Sequence, residues 1–136
     1  MIVVACNTAT SIAIDTLRLE FPDTPFVGLE PAVKPAASGR KVGVLATYAT
    51  LNSNRYLALK GRYLADRPVF ENPCIGLVPL IESELPGSNK LRDKLHDILD
   101  PMLAEGLDTL VLGCTHYPLM QEVFQNALGP DVTLYS

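Results

Sequence analysis

Short apolar runs rich in β-branched residues recur along this chain, and each gives way to a helical pattern. The runs are Ile2–Val4, Phe26–Leu29, Lys41–Ala46, Asp108–Gly113 and Val132–Tyr135. A run this short, apolar and bounded by small or polar residues reads as a strand buried on both faces. The spacers carry apolar residues three and four apart, the signature of an amphipathic helix. Thr8 to Phe21 places Ile12, Ile14, Leu17 and Leu19 among Asp15, Arg18 and Glu20, and Pro22 closes it. This βαβαβα alternation, with about five strands, predicts an α/β fold built on a doubly wound parallel sheet.

The remaining elements follow from local signals. Glu30-Pro31 opens a brief helix, and Ser38-Gly39-Arg40 is a turn. Thr47 to Leu64 reads as one long helix. Pro68 to Pro73 is loop-like with room for a short strand, and Ile75 to Val78 is a short apolar stretch. Pro86-Gly87-Ser88-Asn89 is a break, with Ser88 or Asn89 as the cap of the next helix. That helix runs from Lys90 to Glu105 with Leu91, Leu95, Ile98 and Leu99 on one face. Pro101 should kink or interrupt it, and Gly106 should end it. His116 to Leu128 reads as a helix with Pro118 in its first turn.

Composition narrows the class. With 136 residues, 48% hydrophobic, the chain can bury a modest core. A net charge of −4 without a basic cluster argues against nucleic acid as a partner. No apolar stretch approaches the roughly 20 residues of a membrane-spanning helix. The first residues lack the basic region of a signal peptide. Three widely separated cysteines suggest free thiols in a reducing cytoplasm rather than a disulfide framework. No C-x-x-C and no paired histidines suggest a zinc site, so no metal is expected. The chain enters a strand at its second residue and ends inside another. The expectation is therefore a piece of a longer polypeptide.

Two of the strand ends say nearly the same thing. Val3-Val4-Ala5-Cys6-Asn7-Thr8 and Leu112-Gly113-Cys114-Thr115-His116 both run from apolar strand to cysteine to hydrogen-bonding side chains. A cysteine that ends a strand and opens a helix lies where α/β sheets bind ligands, and helix N-termini favour thiolates. Two such turns suggest two thiols facing one substrate from opposite sides. Taken alone, Cys6 reads equally as a small buried apolar residue. Cys114 is more specific, because His116 two residues on can share a ligand with it and support acid–base chemistry. Cys74, between Pro73 and an apolar run, reads as core packing, and His96 as surface. Thr47 and Thr50 follow a strand, where hydroxyls can cap a helix or hold an anion. Glu82 and Glu84 read as a solvated acidic turn or as helpers of the site.

On Val4-Ala5-Cys6-Asn7-Thr8-Ala9 and Leu112-Gly113-Cys114-Thr115-His116-Tyr117-Pro118-Leu119, the chain resembles the aspartate/glutamate racemase family. Gly43-Val44-Leu45-Ala46-Thr47 with Thr50, and Cys74 through Val78-Pro79-Leu80-Ile81-Glu82, are similar to its intervening segments in the same order. The resemblance implies a cofactor-independent racemase of a small carboxylic amino acid, most closely glutamate, serving peptidoglycan precursor supply. It implies Cys6 and Cys114 as the two catalytic thiols. Asn7, Thr8, Thr115 and His116 would hold the substrate's polar ends or assist the second cysteine, and Glu82 would support His116.

Family members are roughly twice this length. They carry an Asp-Ser-Gly turn before the first cysteine motif, and that turn is absent from this sequence. On the family's two-domain plan, residues 1–31 are part of a first α/β domain, 32–117 a second, inserted domain, and 118–136 a return to the first. Three functional expectations result. One is a glutamate racemase. The second is a racemase of aspartate, hydantoin or a related acid. The third is an inactive piece that self-associates into a homo-oligomer through its open sheet edges.

Overall fold

The computed structural model describes residues 1–136 and contains two parallel sheets. The smaller pairs β1 (Ile2–Val4) with β2 (Phe26–Gly28), Val3 opposite Val27. Helix α1 (Asn7–Glu20) connects them and buries Thr10 and Ile14. The Thr10 hydroxyl stitches the unit together: it donates to the Val4 carbonyl at 3.2 Å and accepts the Leu29 N–H at 3.0 Å. Ile2, Val3 and Val27 of this small sheet are exposed.

The larger sheet has the order β4-β3-β5-β6, all parallel. Its strands are β3 (Val42–Leu45), β4 (Val69–Asn72), β5 (Thr109–Leu112) and β6 (Thr133–Tyr135). Strands β3 and β5 are buried along their whole length. Side chains alternate between two cores, as a strand's period of two requires. Val42, Val44 and Val111 face α2 (Val33–Ala36) and α4 (Asn54–Tyr63), where Tyr56 and Leu64 complete one core. Leu45, Leu110 and Leu112 face α5 (Leu77–Ser83), α6 (Asn89–Ala104) and α7 (Gln121–Leu128). There Leu77, Leu91, Leu95 and Leu99 are wholly buried, each such side chain contributing about 1.5–3 kcal/mol of transfer free energy. Helices on both faces of a parallel sheet make the fold doubly wound, as predicted.

Several local expectations change. The helix read over 47–64 is two: α3 (Tyr48–Leu51), then α4. Ser53 is extended there (φ −75°, ψ 144°), and its hydroxyl accepts the Tyr56 N–H at 3.2 Å, so a capping serine in mid-pattern restarts the helix. The loop-like 68–73 contains β4, an edge strand whose flanking prolines fall just outside it. The short apolar stretch from Ile75 feeds α5, opened by Gly76 in the left-handed region (φ 83°). Helix α6 passes Pro101 unbroken. Pro101 sits in its last turn, where one missing N–H costs little against buried Ile98, Leu99 and Met102. Ser88 is its cap, accepting the Leu91 N–H at 3.2 Å, and Gly106 (φ 84°) ends it. The helix expected from His116 opens as a 3-10 turn (Tyr117–Met120) before α7. Residues 118–136, expected to return to the first unit, stay with the larger sheet. Val132, Phe124 and Leu128 bury in the core under α6, and β6 pairs with β5.

Candidate active site

Strand β1 delivers the chain to Cys6, whose extended backbone (φ −156°, ψ 125°) turns it into α1. The Cys6 sulfur accepts the Ala9 N–H at 3.4 Å and caps the helix as a serine oxygen would. The thiol remains partly open to solvent.

Strand β5 delivers Cys114 in the same way. The Gly113 N–H donates to the Leu45 carbonyl at 2.6 Å, and a Cβ on Gly113 would stand 2.9 Å from both that oxygen and the Ala46 Cβ. Only glycine lets β5 run this close to β3 before releasing the cysteine. Burial pushes the Cys114 thiol above its ordinary value, and the backbone N–H groups of His116 and Tyr117 draw it part of the way back. Negative charge at Cys6 acts on it in the same upward direction as burial.

A proton path starts at Cys114. Its sulfur is 3.8 Å from His116 Nδ1, and His116 Nε2 is 2.9 Å from Glu82 Oε1. Against an ionised carboxylate, which only accepts, the neutral ring carries its proton on Nε2, and in that tautomer Nδ1 is the acceptor facing the thiol. The order thiol, imidazole, carboxylate is that of an activated nucleophile or base. Glu82 stands on α5, not on the acidic turn read from the sequence.

Three hydroxyls meet at the Cys6 end. Thr8 Oγ1 lies 2.7 Å from Thr47 Oγ1 and 3.1 Å from Thr50 Oγ1, and the last two are 3.1 Å apart. Thr47 also caps α3 through the Thr50 N–H. The first turn of α1 thus meets the first turn of α3 through these hydroxyls. Asn7 is buried beside Thr50 and Ser53, lining a small cavity of about 10 Å³ between α1 and α4. Thr115 is exposed beside Cys114.

Cys74 is 3% exposed and part of the core, as its sequence context predicts. Its neighbours were not foreseen. Cys74 and Tyr117 share one core cluster, and Cys114 packs against it. Burial pushes the Cys74 thiol up to about 12 and the Tyr117 hydroxyl well above its usual range. Cys74 itself is left-handed (φ 50°), held by its N–H donating to Asn72 Oδ1 at 2.8 Å. The Asn72-Pro73 pair was the available signal, since asparagine bonds the backbone two residues on. The larger concavities lie elsewhere. The groove of about 270 Å³ between α6 and α7, lined by Pro86, Arg92, His96 and Val123 among others, includes neither Cys6 nor Cys114.

Comparison with known proteins places this arrangement. The sequence profile of the Asp/Glu/hydantoin racemase family matches residues 1–135. A glutamate racemase of Pseudomonas putida (strain W619) is 49% identical over 135 residues, covering 97% of this chain and 51% of that protein. One of Pseudomonas syringae pv. tomato is 47% identical, covering 98% and 50%. The crystal structure of Escherichia coli glutamate racemase with L-glutamate and the activator UDP-MurNAc-Ala superposes with a TM-score of 0.83 at 39% identity, covering 97% of this chain and 51% of that one. The Francisella tularensis glutamate racemase with D-glutamate gives 0.78 at 30% identity, covering 98% and 51%. The chain spans about half the length of the curated relatives it matches.

Proposed function

The chain belongs to the Asp/Glu/hydantoin racemase family, and from that premise we propose that it carries both thiols of a glutamate racemase that works without a cofactor. The observation that carries this reading is the Cys114–His116–Glu82 chain, with Cys6 at the matching turn from β1 into α1. One sulfur, as thiolate, takes the α-proton of glutamate. The C–H bond breaks and its electron pair spreads into the adjacent carboxylate. The other sulfur, as thiol, gives its proton to the opposite face of the same carbon. The first cysteine ends protonated and the second ionised, so the reverse reaction starts from the product state. A raised Cys114 thiol suits the proton donor. When Cys114 acts as the base, His116 takes its proton and Glu82 stabilises the imidazolium.

Glutamate brings two carboxylates, which need donors. Thr8, Thr47, Thr50, Thr115 and Asn7 are the groups we assign to them. We assign residues 1–31 to one lobe and 32–136 to the other, with substrate held between. The rest of the cleft we assign to sequence corresponding to the other half of the relatives. The biological setting we propose is D-glutamate supply for peptidoglycan in the cytoplasm.

The test is the circular-dichroism decay of L-glutamate and, separately, of L-aspartate. It uses the chain alone and the chain fused to the segments of the E. coli enzyme that flank its matched half. The fusion should racemise glutamate in preference to aspartate, and Cys6→Ser or Cys114→Ser should each abolish it. A folded fusion that turns over neither acid, or keeps its rate without one of the two thiols, would overturn the reading.

A further inference from the structure

Besides the three hydroxyls, α1 is tied to the larger sheet's helices by one cation. Arg55, near the start of α4, reaches across to two carboxylates of the other unit. Its Nη1 lies 3.0 and 3.1 Å from the two oxygens of Asp15, two turns along α1 from Cys6. Its Nε and Nη2 lie 3.0 and 2.8 Å from Glu30 Oε1, on the connector between the two sheets. The guanidinium is thus spent entirely on the two segments that place the small sheet against the large one. Its planar fork is suited to holding two carboxylates at once. The side chain is only 30% exposed, whereas Asp15 is 70% exposed, so the arginine is the ordered centre of the group.

The consequence for the thiols is geometric. Helix α1 begins at Cys6, so any tilt of α1 relative to α4 moves Cys6. The hydroxyl cluster fixes the Cys6 end of α1 and Arg55 fixes its middle. Two separated contacts define an orientation where one would leave a pivot. We propose that Arg55 is a positioning residue that fixes Cys6 opposite Cys114 through its joint grip on Asp15 and Glu30. This rests on the two-thiol reading for its purpose, but not for its test, which measures the spacing of the sulfurs rather than racemisation.

The probe is a short bismaleimide, which cross-links two thiols only when both stand within its span. Cross-linked Cys6–Cys114 peptide is quantified by mass spectrometry, with Cys6→Ser and Cys114→Ser as blanks. Arg55→Gln should slow cross-linking about three- to fivefold at low salt, the range open to a partly exposed charge network. High salt should bring the intact protein toward the variant's rate, because screening weakens the same contact. The double variant Asp15→Asn, Glu30→Gln should match Arg55→Gln, and combining all three should add nothing further. Lys60→Gln, which breaks a pair with Glu71 inside the larger unit, should leave the rate unchanged. Unchanged cross-linking in both Arg55→Gln and the carboxylate double variant, at low and high salt, would overturn the proposal. An equal loss in Lys60→Gln would do the same, by showing that any lost ion pair loosens the fold. The melting temperature of each variant separates misfolding from movement, and if Arg55→Gln fails to fold, the carboxylate double variant alone decides.

Discussion

The three thiols should react in an order their surroundings dictate. Cys74 is 3% exposed and its thiol is pushed up to about 12, chiefly by burial. At pH 8 its thiolate fraction is therefore roughly 10⁻⁴, against about a quarter for an unperturbed thiol near 8.5. Alkylation proceeds through the thiolate, so the chemical factor alone is about a thousandfold or more. The sulfur must also be uncovered, which multiplies the difference. Cys114 is partly open and only moderately raised, so its labelling should climb with pH along a curve displaced to the alkaline side of a free thiol. Cys6 is partly open at the start of α1 and should label with Cys114, well before Cys74. A timed iodoacetamide pulse at several pH values, followed by peptide mapping, reads all three at once. If Cys74 labelled as fast as Cys114 near pH 8 in folded protein, the burial argument and the division of the thiols into site and core would both fail.

Three further outcomes are expected. Because the Cys74 pKa is raised on folding, its stabilisation is complete below about 8.5 and drains as pH climbs toward about 12. Urea midpoints should accordingly fall through that window, by at most about 1.4 kcal/mol per pH unit for this group, and Cys74→Ala should flatten the slope. Gly113→Ala forces a Cβ to within 2.9 Å of Leu45 O and should cost about 1–3 kcal/mol while changing Cys114 alkylation, measured by denaturation and peptide mapping of the same sample. Glu82→Ala removes the carboxylate bonded to His116 Nε2, which frees the ring to turn away from Cys114, and should slow Cys114 alkylation about two- to fivefold, with Glu82→Gln in between; equal rates in all three proteins would disconnect Glu82 from the thiol.

Much of the fold is legible from periodicity. The runs around Val42–Leu45 and Thr109–Leu112 are buried at every position and carry no charge, because both faces of a central parallel strand are covered. Helix α6 is legible for the complementary reason: Leu91, Leu95, Ile98 and Leu99 keep one face through more than two turns. Failures cluster where two local signals conflict. Ser53 sits inside a good helical pattern and still breaks it, since its hydroxyl offers the Tyr56 N–H a nearer partner. Pro101 looks like a breaker and is not, since the leucine face beneath it outweighs one absent hydrogen bond. Strand β4 pairs on one side only, and an edge strand between two prolines leaves almost no pattern to detect.

The site divides along the same line. Cys6 and Cys114 announce themselves because a strand-to-helix turn is a local event, and so is the step from Cys114 to His116. What joins them is not local. Glu82 meets His116 across 34 residues, Thr8 meets Thr47 across 39, and Arg55 meets Asp15 across 40. Each of these contacts exists only because α1 lies across the first turns of α3 and α4, and α5 beside the turn after β5. Parallel strands explain why they can meet. Every connection returns its helix to start at the same end of its sheet, so the residues that follow each strand gather along one edge. Cys6, Thr47, Cys74 and Cys114 are all such residues. The two thiols with solvent access follow strands of different sheets. Their separation is therefore set by how the sheets are held to each other, which gives the Arg55 contact with Asp15 and Glu30 chemical consequence at some distance from either sulfur.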